Sequence, residues 1–127
     1  MSLSEGQHTG EFILAEVDPQ IGREQVTLTV AAATKLEPGY VLAQLAATGK
    51  YVEYDNAGSD GSEVAAAILY GEADNVAGGA PADFTVTVVK RLAAVRKADL
   101  QWNSGVDAGG KTAAYADLAS LFVIARD

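Results

Sequence analysis

Few side chains in this sequence could do acid-base, metal or nucleophilic chemistry, and they are widely spaced. His8 is the only histidine, and there is no cysteine. The lack of thiols removes disulfides, thiolate catalysis and cysteine metal sites together. One histidine without cysteine is a poor start for a zinc site. A general base must be held against its substrate. His8 instead lies in a polar, glycine-containing lead, Met1 to Gly10, with little to offset ordering entropy. A Ser-His-Asp triad would have to recruit that same residue.

The acidic stretches read as structure, not chemistry. Asp55-Asn56-Ala57-Gly58-Ser59-Asp60-Gly61 superficially resembles a calcium loop. Such a loop needs oxygen ligands at its first, third and fifth positions. Ala57 fills the third, Ser59 is a poor fifth, and hairpin loops use the same residue types for turn geometry. Glu72, Asp74 and Asp83 would need environments that push their pKa values apart to act as an acid-base pair. Their surroundings, rich in Gly and Ala, read as a solvated loop. Gly78-Gly79 lacks the lysine and hydroxyl residue of a phosphate loop. Lys90-Arg91 and Arg96-Lys97 are the basic cluster, and a charged surface balancing local acids explains them. Trp102, the only tryptophan, suits a core or interface anchor better than a base-stacking platform.

The elements that would carry these residues are mostly strands. Gln25 to Val30 alternates Val26, Leu28 and Val30 with polar residues, the period of a half-buried strand. Phe84 to Val89 alternates in the same way. Glu11 to Val17, Tyr40 to Leu45 and Lys50 to Tyr54 have strand length and composition. Val64 to Tyr70 is apolar throughout, which predicts burial on both faces or an interface. Pro38-Gly39 predicts a type II turn. Glu72 to Asp83 and Asn103 to Gly110 read as loops. Ala98 to Trp102 suits a helical turn, and Thr112 to Ser120 a short helix with Thr112 as N-cap. Leu121 to Ala125 closes the chain as a strand or buried end. The expected class is mainly β with one or two short helices, in one domain without internal repeats.

The 127 residues carry a formal net charge of -8, which opposes nucleic-acid binding. No apolar stretch reaches membrane-spanning length. Met1 to Gly10 lacks the basic start and apolar core of a signal peptide. Synthesis as a soluble cytoplasmic protein is expected.

Laid out in order, the segments resemble the bacteriophage head-decoration family typified by protein D of bacteriophage lambda. The resemblance runs through Gly10-Glu11-Phe12-Ile13-Leu14-Ala15-Glu16, the turn Leu36 to Leu42, Thr48 to Asp55, and Asp60 to Leu69. It continues through Phe84 to Val89 and Leu100-Gln101-Trp102 to Leu121-Phe122-Val123-Ile124. Its specificity lies in their order and spacing, together with length, acidity and the lack of cysteine.

The resemblance implies a β-clip-like compact domain, residues 18–127, with a flexible N-terminal capsid-binding arm, residues 1–17. It implies a homotrimer on the outer surface of the expanded head, where the partner is the major capsid protein and the trimer resists internal DNA pressure. The virion is the expected location, of a phage or prophage. No enzyme activity, cofactor, metal, nucleic acid or membrane is expected. Gly10 to Glu16 are the arm candidates. Pro38, Gly39, Tyr40, Ile68, Leu69, Trp102, Leu121, Phe122 and Ile124 are the core or trimer-contact candidates. The alternative is a small-molecule or carbohydrate-binding β module, with Tyr51, Tyr54, Tyr70 and Trp102 lining one pocket. A nucleotide hydrolase of related fold finds no magnesium- or phosphate-holding motif to support it.

Overall fold

The computed structural model describes residues 9–127. Two alternating stretches make its longest pairing. β2 (Arg23–Val30) and β8 (Ala82–Val89) run antiparallel in unbroken register, from Arg23 opposite Val89 to Val30 opposite Ala82. The period of two sends Leu28 and Val30 inward and leaves Gln25 and Thr27 in solvent. With β4 (Val41–Gln44), β5 (Tyr51–Glu53) and β6 (Ala65–Leu69) they close a barrel in the order β2-β5-β4-β6-β8. Closure between β2 and β5 rests on a single pair, Leu28 with Tyr51.

A second sheet lies against the barrel. It holds β1 (Ile13–Glu16), β9 (Ala93–Arg96) and β10 (Val123–Arg126), with β9 central, antiparallel to β1 and parallel to β10. A two-stranded pair, β3 (Thr34–Leu36) with β7 (Ala73–Asn75), completes the β structure of the described residues. A single helical turn, α1 (Pro19–Gly22), precedes β2, and α2 (Ala108–Ala119) precedes β10.

Two cores share β4, β6 and β8. One fills the barrel with Leu28, Leu42, Tyr51, Leu69 and Val88. The other lies under the terminal sheet and α2, with Phe12, Val41, Tyr54, Ile68, Val89 and Leu118. Successive residues Ile68 and Leu69 therefore enter different cores, so β6 is covered on both faces, while Val64 before it is half exposed. Gly39 has φ +91°, and the Tyr40 amide donates to the Glu37 carbonyl at 3.3 Å, as a type II turn requires. The mainly-β expectation holds.

Three expectations need correction. The 72–83 stretch is not all solvated loop, because it contains β7 and the start of β8. Its Ala and Asp have weak strand preference, but pairing with β3 decides the local structure. Buried Asn75 then donates to the carbonyls of Val30, Ala31 and Ala80 at 3.0–3.2 Å.

The last helix begins one turn before Thr112. Asp107 is its N-cap, accepting from the Gly110 amide at 2.8 Å, while Thr112 bonds back to the Ala108 carbonyl. Gly109-Gly110 reads as loop, yet Gly110 is needed for close approach. A Cβ there would lie 2.6 Å from the Asn56 side chain.

The boundary expected at Val17 is also displaced, since the chain is already built into the domain at Gly10. The Gly10 amide donates to the Tyr70 carbonyl at 3.0 Å, and Phe12 is fully buried. A phenyl ring gains more in the core than an arm can offer it. The polar lead Met1 to His8 lies outside the described residues.

Candidate functional site

The residues singled out for chemistry are spread over the surface and used by the fold. Asp55 accepts from the Ala57 amide, and Asp60 from the Ser62 amide and hydroxyl, so both shape their loop. Glu72 pairs with Lys35 at 3.3 Å, Asp74 accepts from the Val76 amide, and Asp83 binds Lys50 at 2.7 Å and Thr29 at 2.6 Å. The three carboxylates have separate partners. Lys90 and Arg91 face Glu24, Arg96 faces Asp99, and Lys97 faces Asp127. Among the described residues, no group of three or more His, Cys, Asp or Glu could hold a metal.

The aromatic rings do not share a pocket. Tyr51 and Tyr54 are buried in different cores, and the Tyr54 hydroxyl donates to the Gly110 carbonyl at 2.8 Å. Tyr70 lies under the Arg23 guanidinium, 4.0 Å from its centroid. Trp102 is half-buried and packs edge-on against Tyr54 and Tyr115 at 6.2 and 5.7 Å. The pocket lined by all four rings is therefore absent from the described residues.

The unusual surface belongs to the terminal sheet. β1, the turn before β9 and β10 enclose an open groove of about 300 Å³, lined by Ala15, Val17, Leu92, Ala94, Phe122 and Ile124. Val17 is 76% exposed, Phe122 67% and Ile124 47%. Glu16 is the only charged residue on the lining. It is held by Arg23 through two bonds of 2.5 and 2.9 Å, and this bond raises the Arg23 pKa. The groove is thus apolar with its one charge neutralised.

Backbone bonds tie its three segments together. The Val17 amide donates to the Leu92 carbonyl at 3.0 Å, and the Ala93 amide to the Phe122 carbonyl at 3.1 Å. Leu92 and Phe122 both hold left-handed backbone, φ +58° and +62°. Phe122 follows α2 where a chain leaving a helix usually places Gly or Asn. An aromatic residue there is strained by about 1 kcal/mol and exposes its ring. A contiguous exposed apolar surface of this kind marks a candidate contact site.

Of the contact candidates, Ile68 and Leu69 are fully buried, and Pro38 and Gly39 are covered. Tyr40 is half-buried, with its hydroxyl donating to Glu53. Burial first, then Glu53, pushes its pKa up. Phe122 and Ile124 are exposed, and Leu121 lies partly buried beside them. From the arm, Ala15 lines the groove, while Leu14 is exposed on the same strand. Leu92 and Ala94 were not foreseen. Short apolar residues beside a basic pair carry no signal of a shared surface.

The family model of the bacteriophage lambda head decoration protein D matches residues 2–123. The chain belongs to that family. No curated protein matches it. Membership makes it a structural component of the phage head, associated with the capsid in the virion. In this head decoration protein the match takes in β1 and β9 whole and stops at the first residue of β10. No helix of the described residues is long and apolar enough to cross a membrane.

Proposed function

We propose that the chain binds as a homotrimer to the outer surface of an expanded phage or prophage head and reinforces it against internal DNA pressure. Its role is structural rather than catalytic, and it is made in the host cytoplasm before joining the virion. One observation supports this reading beyond membership. The exposed apolar groove sits at the base of the N-terminal segment, between two sheet edges. β1 and β10 each have β9 on one side only. An extended segment of coat protein can add to such an edge while its apolar side chains fill the groove. The segment before Gly10 acts as the capsid-binding arm, with Gly10 to Glu16 anchoring it to the domain. Three arms on one trimer gain from multivalency.

The test is solution mass followed by co-sedimentation with cognate expanded heads. Deleting residues 1–17 would remove Phe12 and damage the core, so the informative truncation removes residues 1–8. The full chain is expected to be a trimer that pellets with heads. The truncation should remain trimeric and bind more weakly. A monomer that stays in the supernatant would overturn the proposal.

A further inference from the structure

The outer face of the terminal sheet is built in three rows, and only two of them are apolar. Parallel pairing sets Val123 beside Ala93, Ile124 beside Ala94 and Arg126 beside Arg96. Val123, Ala93 and Val95 are buried, so the period of two turns Ile124, Arg126, Ala94 and Arg96 outward. The first row is Val17, Leu92 and Phe122, and the second is Ala15, Ala94 and Ile124. Both line the apolar groove. The third row, just beyond the groove, holds Arg96 and Arg126.

Residues in register on neighbouring strands are about 4.8 Å apart at the backbone, and like charges placed so repel. The described residues offer this pair little compensation. Arg96 meets only Asp99, at 3.8 Å, with half of its side chain exposed. Asp127, the next carboxylate along the chain, stands 3.8 Å from Lys97. Arg126 is exposed and has no ion pair among the described residues. This end of the sheet is therefore cationic on a chain of formal net charge -8.

The two edges of the sheet are not equivalent. β1 is bulged between Ile13 and Ala15, and a bulge twists an edge away from further pairing. At the level of the third row, β1 brings the buried Phe12, whose carbonyl accepts from the Arg96 amide at 2.9 Å. β10 is regular from Val123 to Arg126 and presents Ile124 and Arg126 along its open side.

Resting on the head-binding reading above, we propose that the β10 edge takes an extended coat-protein segment that is apolar at two alternate positions and acidic at the next. Such a segment adds a strand by backbone hydrogen bonds and repeats the period of the sheet. Its apolar side chains cover the rows of Phe122 and Ile124. Its aspartate or glutamate faces Arg126, with Arg96 one strand behind, and offsets their repulsion. A guanidinium suits that task, because its fork of donors matches a carboxylate. Charge complementarity thus sets the register of the segment, while the groove supplies the apolar contact.

The full chain and its Arg126→Gln, Arg126→Glu and Lys35→Gln variants are co-sedimented with cognate expanded heads at rising salt. Solution mass and melting temperature are measured on each. Arg126→Gln is expected to bind about threefold more weakly at low salt, with a flatter salt dependence, and Arg126→Glu more than tenfold more weakly. The melting temperature of Arg126→Gln should hold or rise, since a like-charge pair is removed. Lys35→Gln makes the same charge change on β3, outside the terminal sheet, and should bind as wild type does. If Arg126→Glu fails to fold, Arg96→Gln should weaken binding in the same direction. Wild-type heads binding that survives in both Arg126 variants, that falls no further with Glu than with Gln, or that falls equally with Lys35→Gln would overturn this contact alone. A wild-type chain that leaves heads unbound would overturn the head-binding reading and this contact with it.

Discussion

Phe12 and Phe122 show how differently this chain uses the same side chain. Phe12 is fully buried between the barrel and the terminal sheet. Phe122 is 67% exposed, on left-handed backbone, at the edge of an apolar groove. Both sit beside the same three strands. The inner face of the terminal sheet closes a core, whereas its outer rim leaves apolar area uncovered. Buried and exposed apolar area are thus divided between the inside and the rim of one sheet, and substitutions should separate their effects.

The largest effect is expected inside. Phe12→Ala should lower unfolding free energy by about 3–5 kcal/mol in a denaturant titration, through lost transfer energy and the cavity left behind. A loss under about 1 kcal/mol would mean that Gly10 to Val17 is not firmly docked.

Two tyrosines sharpen the comparison within the cores. Tyr54→Phe removes a buried hydrogen bond to the Gly110 carbonyl, which keeps its helical partner, a loss of about 0.5–1.5 kcal/mol. Tyr51→Phe removes a buried hydroxyl that has no hydrogen-bond acceptor, so stability should hold or rise. Equal losses at both would mean that Tyr51 is satisfied after all.

On the rim, Phe122→Gly should leave stability within about 1 kcal/mol of wild type, since relief of left-handed strain offsets the entropy of glycine. Head binding in the sedimentation assay should nonetheless fall about tenfold or more, as expected of an aromatic anchor. Unchanged binding would remove the groove from the interface.

The smallest effect is a pH dependence confined to the barrel side. Hydrogen bonds from Arg91 and Lys50 hold the Glu24 and Asp83 carboxyls below their ordinary values of 4.5 and 3.8. Carboxyls lowered on folding stabilise the native state above those values, and that contribution is lost as pH falls through the lowered ones. Melting temperature should therefore begin to drop below about pH 4.5, and Glu24→Gln should flatten the upper part of the drop. An unchanged profile in the variant would show that solvent screens the pair fully.

The sequence by itself determined the β class, most strands and the turn at Pro38-Gly39. Alternation with period two and the φ demands of proline and glycine act over a few residues and need no partner. It also signalled the two-sided burial of the apolar run, which the structure realises over Ala65 to Leu69. It did not reveal β7, the helix start at Asp107 or the docking of Phe12. Strand pairing overrode weak propensity in the first, close approach to Asn56 required a glycine in the second, and a distant core decided the third. The groove was legible only in fragments, as Ala15, Phe122 and Ile124. Val17, Leu92 and Ala94 join them because β9 lies between β1 and β10, which brings together segments more than a hundred residues apart. Periodicity tells which side of a strand an apolar residue faces. Only tertiary structure decides whether anything covers that side, and at Phe122 nothing in the described chain does.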